Sequence, residues 1–334
     1  MKKYLLPNQG NCYKANLHCH TDLSDGALSP AQVKEEYKKR GYSIVAYTDH
    51  DVMIPHPELN DEEFLALNGY EMEIFEPGEG VLMHRRTCHM CLVALEPDNL
   101  KQVCYHREKY LFGNAVNQRD KIDFYRDEPD YERSYDAECV SDMMKQGREH
   151  GFFVTYNHPT WSGEGYDMYM NFHHMHAMEI WNSGCNTEGH DEYNPRVYAD
   201  MLRGGKRIYC IGADDNHGTK EIGKAWIVVK AAKLEYRTIT KALEEGNFYS
   251  SEGPEIKALW VEDGVIHVEC SDAAMIRFSY VDRRINTFRA EEGKMLNEAS
   301  VELYPLSGYV RVTIEDAQGR RAESNAYFLD EFME

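Results

Sequence analysis

Asn16-Leu17-His18-Cys19-His20-Thr21-Asp22-Leu23-Ser24-Asp25-Gly26 decides how the rest of the chain is read. In an extended strand, residues two apart point to the same face. His18 and His20 therefore aim at one point while Cys19 faces away. Asp25, on a Ser-Asp-Gly turn, adds a carboxylate close by. Two imidazoles and a carboxylate are metal ligands, and the weight of the motif depends on what further ligands the rest of the chain supplies.

The chain has 334 residues and a formal net charge of −20. That length holds one large domain, or a large domain and a small one. The acidic balance lacks the basic footprint of a duplex nucleic-acid binder. No apolar run approaches the roughly 20 residues that span a bilayer. The N-terminal apolar stretch is too short for a signal peptide, so a cytoplasmic location with no membrane partner is expected. The nine cysteines are unpatterned and odd in number, which suits buried thiols in a reducing compartment.

Outward from the opening stretch, Ser29-Pro30 predicts a helix start and Gly41 its end. The run 42–47 predicts a strand that meets Thr48-Asp49-His50-Asp51. The run 64–67 leads to Gly69-Tyr70-Glu71-Met72-Glu73, and 89–95 predicts another strand. Residues 98–133, charged and rich in tyrosine, read as an insertion over the mouth of a barrel. A helix from Asp136 stops at Gly151, and 152–156 then ends in Asn157-His158-Pro159. Further strands are expected at 177–182, at 207–211 leading into Asp214-Asp215-Asn216-His217, and at 225–229. Helices are expected at 195–203 and 236–245. This alternation predicts an α/β barrel over residues 1–253. Past Gly253-Pro254, short alternating runs predict a small all-β, sandwich-like domain over 254–334.

The polar strand ends gather His18, His20, Asp25, His50, Glu71, His89, His158, Asp215 and His217. These are too many for one Zn²⁺. They suit two or three ions with mixed nitrogen and oxygen donors, of the Zn, Mn or Fe kind. Glu71 is the best candidate for a bridging carboxylate. Asp215 and His217 repeat the two-residue spacing of the opening motif, which favours Asp215 over Asp214 as the ligand. Asp214 is expected to act on a ligand from outside.

The motifs His-x-His-Thr-x-x-Ser-Asp-Gly (18–26), Thr-Asp-His (48–50), Gly-x-Glu (69–71), His89, Asn-His-Pro (157–159) and Asp-x-His (215–217) resemble the PHP (polymerase and histidinol phosphatase) family, over about residues 10–250. The stretches 179–182, 250–254, 309–312 and 324–325 resemble the branch grouped with CehA/McbA-like metallohydrolases. The resemblance implies a distorted (β/α)₇, TIM-like barrel with a trinuclear metal centre. It implies that His18, His20, Glu71 and Asp215 serve a first metal, Glu71, His89 and His158 a second, and Asp25, His50 and His217 a third. Two departures stand out: Asp25 replaces a histidine of some members, and the Asp214-Asp215 pair leaves the choice of ligand to the two-residue spacing; His89, besides, begins its apolar run instead of ending it.

Such a centre lowers the pKa of bound water and clamps a phosphate ester. A metal-dependent phosphoesterase acting on a small phosphorylated metabolite or nucleotide through a metal-bridging hydroxide is the first reading. Glu71, Asp215 and His217 are then nearest the reaction. A carbamate or carboxylic ester hydrolase is the alternative, and a non-catalytic metal-binding scaffold the third. With no Gly-rich phosphate loop, phosphate binding falls to the metals and to basic candidates Arg85, Arg86 and Lys220. Trp161 is expected to pack its loop more than to stack on substrate. His173, His174 and His176 are expected to be surface or loop residues. Substrate, native metal and oligomeric state are open at this level.

Overall fold

The protein is described by a computed structural model over residues 2–79, 82–304 and 308–332, with residues 79 and 82–85 described by backbone alone. Its larger sheet runs, from one edge, through Tyr209–Ala213, Ala177–Asn182, Phe152–Tyr156, Leu82–Ala94, Leu65–Glu79, Ile44–Tyr47, Asn11–Asn16 and Trp226–Ala231. It continues through Phe248–Ser251, Arg321–Ser324, Tyr309–Glu315, Met275–Tyr280 and Ile285–Arg289.

The first eight of these strands curl into a distorted barrel. Their inward residues, among them Ala15, Ile44, Leu67, Val93, Phe153, Ala177, Ile211 and Ile227, share one buried core that Ile239 and Leu243 of the Tyr236–Glu244 helix complete. Gly212 lets the first strand close on the eighth. A Cβ there would lie 2.7 Å from Ser250 Oγ and 3.1 Å from the Trp226 carbonyl oxygen. The outward residues of the same strands meet helices. Val45 and Tyr47 pack with Val33 and Tyr37 of the Pro30–Lys38 helix, while Leu92 and Val154 pack with Val140, Met143 and Met144 of the Ala137–Glu149 helix.

Local signals set these helices as the residue types predict. Ser29 and Gln32 form a reciprocal capping box, and the Asp136 carboxylate caps Cys139 N–H. Gly41 takes φ of 78° after the first helix. The strands depart from a simple parallel alternation. Leu82–Ala94 runs antiparallel to both Leu65–Glu79 and Phe152–Tyr156, as the return arm of a long hairpin. That explains why His89 begins its apolar run. An antiparallel strand enters the barrel at the end where its parallel neighbours leave, and His89 pairs with Glu73 across the hairpin.

The C-terminal strands do not stand apart in the sheet. Phe248–Ser251 pairs with Arg321–Ser324, which carries the larger sheet into the C-terminal strands. Lys2–Leu6 pairs with Ile256–Glu262 in a separate four-stranded sheet with Val265–Ala273 and Leu296–Glu302. Leu259, Val268, Phe278 and Val312, from both sheets, share a second core. Residues 98–133 hold a short parallel pair, Lys101–Gln102 with Asp123–Phe124, and the 3₁₀ stretch Gly113–Lys121. Among the described residues no helix is long and apolar enough to cross a membrane.

Candidate metal centre

All nine residues singled out above meet at one end of the barrel. The strand Asn11–Asn16 stops before the opening motif, so His18 and His20 lie on an extended continuation instead of within the ladder. Cys19 forms an isolated bridge with Asn216 there, and its side chain packs into the core beside Val33 and Tyr37. The two imidazoles still converge, with their Nε2 atoms 3.1 Å apart. Thr21 and Ser24 hold the following turn. The Asp49 carboxylate accepts from Thr21 N–H at 2.7 Å, Thr21 Oγ1 at 2.8 Å and Ser24 Oγ at 2.6 Å. The Thr-x-x-Ser and Thr-Asp-His motifs thus brace each other, and Asp25 and His50 are fixed together.

Glu71 sits at the middle. Its Oε1 is 3.0 Å from His18 Nε2, 3.4 Å from His89 Nδ1 and 3.5 Å from His158 Nε2. Its Oε2 is 3.4 Å from His20 Nε2 and 3.3 Å from His50 Nδ1. Asp215 Oδ1 is 3.1 Å from His20 Nε2 and 3.2 Å from His18 Nε2. Asp25 Oδ2 lies 3.4 Å from His217 Nε2 and 3.6 Å from His50 Nε2. Four overlapping groups place their ligand atoms within 4.8 Å of one another: His20, Asp25, His50 and His217; His18, His158 and Asp215; His18, Glu71 and Cys91; and His50, Glu71 and His89. His20 thus lies with the Asp25 group as well as against His18.

The donor set fits divalent cations. His20 Nδ1, His50 Nδ1, His89 Nε2 and Asp215 Oδ1 are buried and lack a hydrogen bond. Each such atom costs about 1–3 kcal/mol when left unsatisfied. Four in one cluster are what a cation would satisfy. Without metal, the electrostatics are those of a paired acid–imidazole cluster. Burial alone would lower His18 and His20, yet Asp215 and Glu71 hold both well above the ordinary histidine value. His158 is likewise raised to about 9 against its burial, chiefly by Glu71 and Asp215. Glu71 and Asp215, although buried, are held well below the usual carboxylate range by the surrounding histidines. His50 goes the other way, lowered to about 3 by burial and by the neighbouring His20.

Asp214 and Asp215 face opposite ways. Asp214 accepts from Tyr42 Oη at 2.8 Å, Gly223 N–H at 2.9 Å, Lys224 N–H at 3.0 Å and Ala225 N–H at 3.1 Å. It anchors the 223–225 loop and takes part in no ligand group. Gly184 seats the next turn: a Cβ there would meet the Asp215 carbonyl oxygen at 2.4 Å. Asp51, His158 and Asp215 have φ of 54°, 25° and 47°. Non-glycine residues in this region carry backbone strain, and these three lie where strands end at the centre.

Several participants carry weak sequence signals. Glu179, 0 % exposed, accepts from His18 Nδ1 at 2.7 Å, His158 N–H at 2.9 Å and Asn182 Nδ2 at 2.8 Å. Its sequence clues are a carboxylate inside the apolar run 177–181 and its place in the 179–182 stretch, neither of which assigns it to the centre. Glu192 holds the His158 loop from below, accepting from Thr160 N–H and Trp161 N–H at 3.0 and 2.7 Å. Arg133, at the end of the insertion, binds the Asp51 carboxylate through both Nη atoms and the Glu73 carbonyl at 2.8 Å. It clamps together the segments that carry His50 and Glu71.

A cavity of about 330 Å³ opens over the centre, lined on its outer side by Phe75, Phe112, Trp161, Glu188 and Glu221. Phe112, from the 98–133 stretch, lies 5.0 Å ring to ring from His50. Trp161 also lines the cavity, its ring centroid 4.9 Å from His158 and its Nε1 donating to Glu188 at 3.1 Å. Arg86 does not serve the cavity: Glu76 takes its Nε at 3.0 Å and Nη2 at 2.7 Å. The Arg85 side chain lies outside the described residues, and Lys220 is exposed and does not line the cavity. His173 and His174 are exposed, and His176 Nδ1 accepts from Val154 N–H at 3.0 Å. They form no ligand group among the described residues.

No family model and no curated protein matches the chain. Among solved structures, the chain is similar to a two-domain protein from Bacteroides vulgatus containing a predicted PHP-like metal-dependent phosphoesterase, at 14 % identity and a TM-score of 0.47, covering 96 % of each chain. It is also similar to an amidohydrolase from Chromobacterium violaceum, at 16 % identity and a TM-score of 0.38, covering 62 % of this chain and 88 % of that one. A third likeness is to a lesion-specific endonuclease from Pyrococcus furiosus, at 14 % identity and a TM-score of 0.42, covering 70 % of this chain and 56 % of that one.

Proposed function

We propose that the chain is a metal-dependent hydrolase of the PHP phosphoesterase kind, resembling its CehA/McbA-like branch, acting on a small phosphorylated metabolite or nucleotide. The observation that carries this reading is the convergence of His18, His20, Asp25, His50, Glu71, His89, His158, Asp215 and His217 on one cluster, buried except at Asp25 and His217, with unsatisfied ligand atoms. On this reading they hold two or three Zn, Mn or Fe ions in a (β/α)₇-type barrel. A domain boundary near residues 253 and 254, with a sandwich-like C-terminal part, belongs to the same reading. Such ions, when bound, acidify water and stabilise negative charge on an ester oxygen.

The chain's own residues do the rest. Glu179 accepts the His18 Nδ1 proton and so leaves Nε2 turned to Glu71 and Asp215. Ser162 lies 3.2 Å from His158 Nδ1 and sets that ring in the same way. Glu71, Asp215 and His217 stand nearest the reacting ester. Phe75, Phe112 and Trp161 supply apolar surface at the mouth of the cavity. Among the described residues, no Lys or Arg lines the cavity over the centre. The test is hydrolysis of a panel of phosphate monoesters by protein loaded in parallel with Mn²⁺ and Zn²⁺, with carbamates and carboxylic esters alongside. Turnover of phosphates alone supports the proposal. Turnover of carbamates or carboxylic esters alone replaces it with the alternative, and no turnover at all favours a scaffold.

A further inference from the structure

His89 lies between two carboxylates. Its Nδ1 faces Glu71 Oε1 at 3.4 Å and its Nε2 faces Glu73 Oε2 at 3.6 Å. His50 Nδ1 also faces Glu73 Oε2, at 3.8 Å. Both His89 Nε2 and His50 Nδ1 are buried and lack a hydrogen bond. Glu73 is two residues from Glu71 on one strand, so both carboxylates project from the same face. The Glu73 side chain is 8 % exposed and lines the cavity. Its backbone is held independently of the centre, because Arg133 Nη1 donates to its carbonyl oxygen.

The arrangement parallels that of His18, whose Nδ1 is fixed by Glu179 while Nε2 turns inward. An imidazole that gives one nitrogen to a metal presents N–H on the other, and a buried carboxylate is its usual partner. For His89 the nitrogen turned away from Glu71 is the one turned to Glu73. His158 Nε2, also on Glu71 Oε1 at 3.5 Å, lies on the Glu71 side.

We propose that Glu73 is a positioning residue of the centre: it accepts from His89 Nε2–H, which makes Nδ1 the metal-binding nitrogen of His89. This rests on the metallohydrolase reading above. The sequence sets no such role for Glu73, which lies outside the nine residues of the motifs.

The experiment is metal competition against a chelator, with elemental analysis of the bound equivalents, on wild type, Glu73→Gln and Glu73→Asp. Zinc-loaded, ¹⁵N-histidine-labelled protein gives the His89 tautomer by NMR, assigned with His89→Gln. Circular dichroism checks that each variant is folded. Glu73→Gln should lower affinity for one equivalent by about 10- to 100-fold and leave the others bound. Glu73→Asp should recover part of that loss. The wild-type His89 signal should show protonated Nε2 and metal on Nδ1. Unchanged affinities in Glu73→Gln, or metal on His89 Nε2, would overturn the assignment while leaving the metallohydrolase reading intact. Wild-type protein that binds no metal would overturn both.

Discussion

Replacing Arg133 by Met leaves the Asp51 carboxylate buried without its counter-ion. The two side chains are 3 % and 4 % exposed, and Asp51 receives both guanidinium Nη atoms. Breaking a buried pair from one side typically costs about 3–5 kcal/mol, because the remaining charge stays desolvated. The same change frees the carbonyl oxygens of Glu73 and Cys104, which raises the cost. Across 334 residues the unfolding entropy is about 0.7 kcal/mol/K, so a 4 kcal/mol loss lowers the melting temperature by about 6 °C. The pH dependence has a definite sign. Burial already raises the Asp51 pKa in the presence of Arg133, and removing the cation raises it further. A carboxyl whose folded pKa exceeds its unfolded one costs stability above the unfolded value of about 4, and the cost is relieved as pH falls through the folded value. Thermal and urea unfolding followed by circular dichroism should show the deficit of Arg133→Met shrinking between pH 8 and pH 5. The double variant Arg133→Met, Asp51→Asn should recover much of it. A deficit below about 1 kcal/mol, typical of exposed ion pairs, would refute the clamp.

Three further outcomes follow from the same geometry. Glu71→Gln and His18→Ala should each lose bound metal and hydrolysis together while keeping the wild-type circular dichroism spectrum; full turnover in either would mean the wrong residues hold the centre. Glu179→Gln should weaken metal binding about 10- to 100-fold through the His18 tautomer, read by chelator competition, and an unchanged affinity would remove its role. His176 is lowered to about 3 by burial, so it stays neutral in the fold while the unfolded chain takes a proton. The stability this protects is full above about pH 6.5 and falls as pH drops toward 3. The urea midpoint should therefore fall less steeply between pH 7 and 5 in His176→Gln than in wild type, and equal slopes would contradict it.

Much of the centre was legible because ligand chemistry is local. In extended chain, His18-Cys19-His20 and Asp215-Asn216-His217 each place two donors on one face, and Thr48-Asp49-His50 follows the β-like run 42–47. The helices were legible through caps, as at Ser29 and Asp136. What stayed hidden depends on contacts distant in sequence. Glu179 meets His18 across 161 residues, and Arg133 meets Asp51 across 82. No periodicity records such pairs. The sheet was hard to read for a related reason. Lys2–Leu6 pairs with Ile256–Glu262, and Phe248–Ser251 with Arg321–Ser324, and these registers are set by the second core instead of by neighbouring turns. The unusual position of His89 was visible in the sequence, but its cause, an antiparallel return strand, needed the pairing.

On the proposed reading, the nine convergent side chains form a multinuclear metal centre. Protein produced with Zn, Mn and Fe supplied, then passed through buffer exchange, is measured for bound metal by elemental analysis beside Glu71→Gln. Wild type should carry two to three equivalents per chain and the variant at least one fewer, since Glu71 touches five of the histidines. Wild-type protein that binds no transition metal under these conditions would contradict that reading.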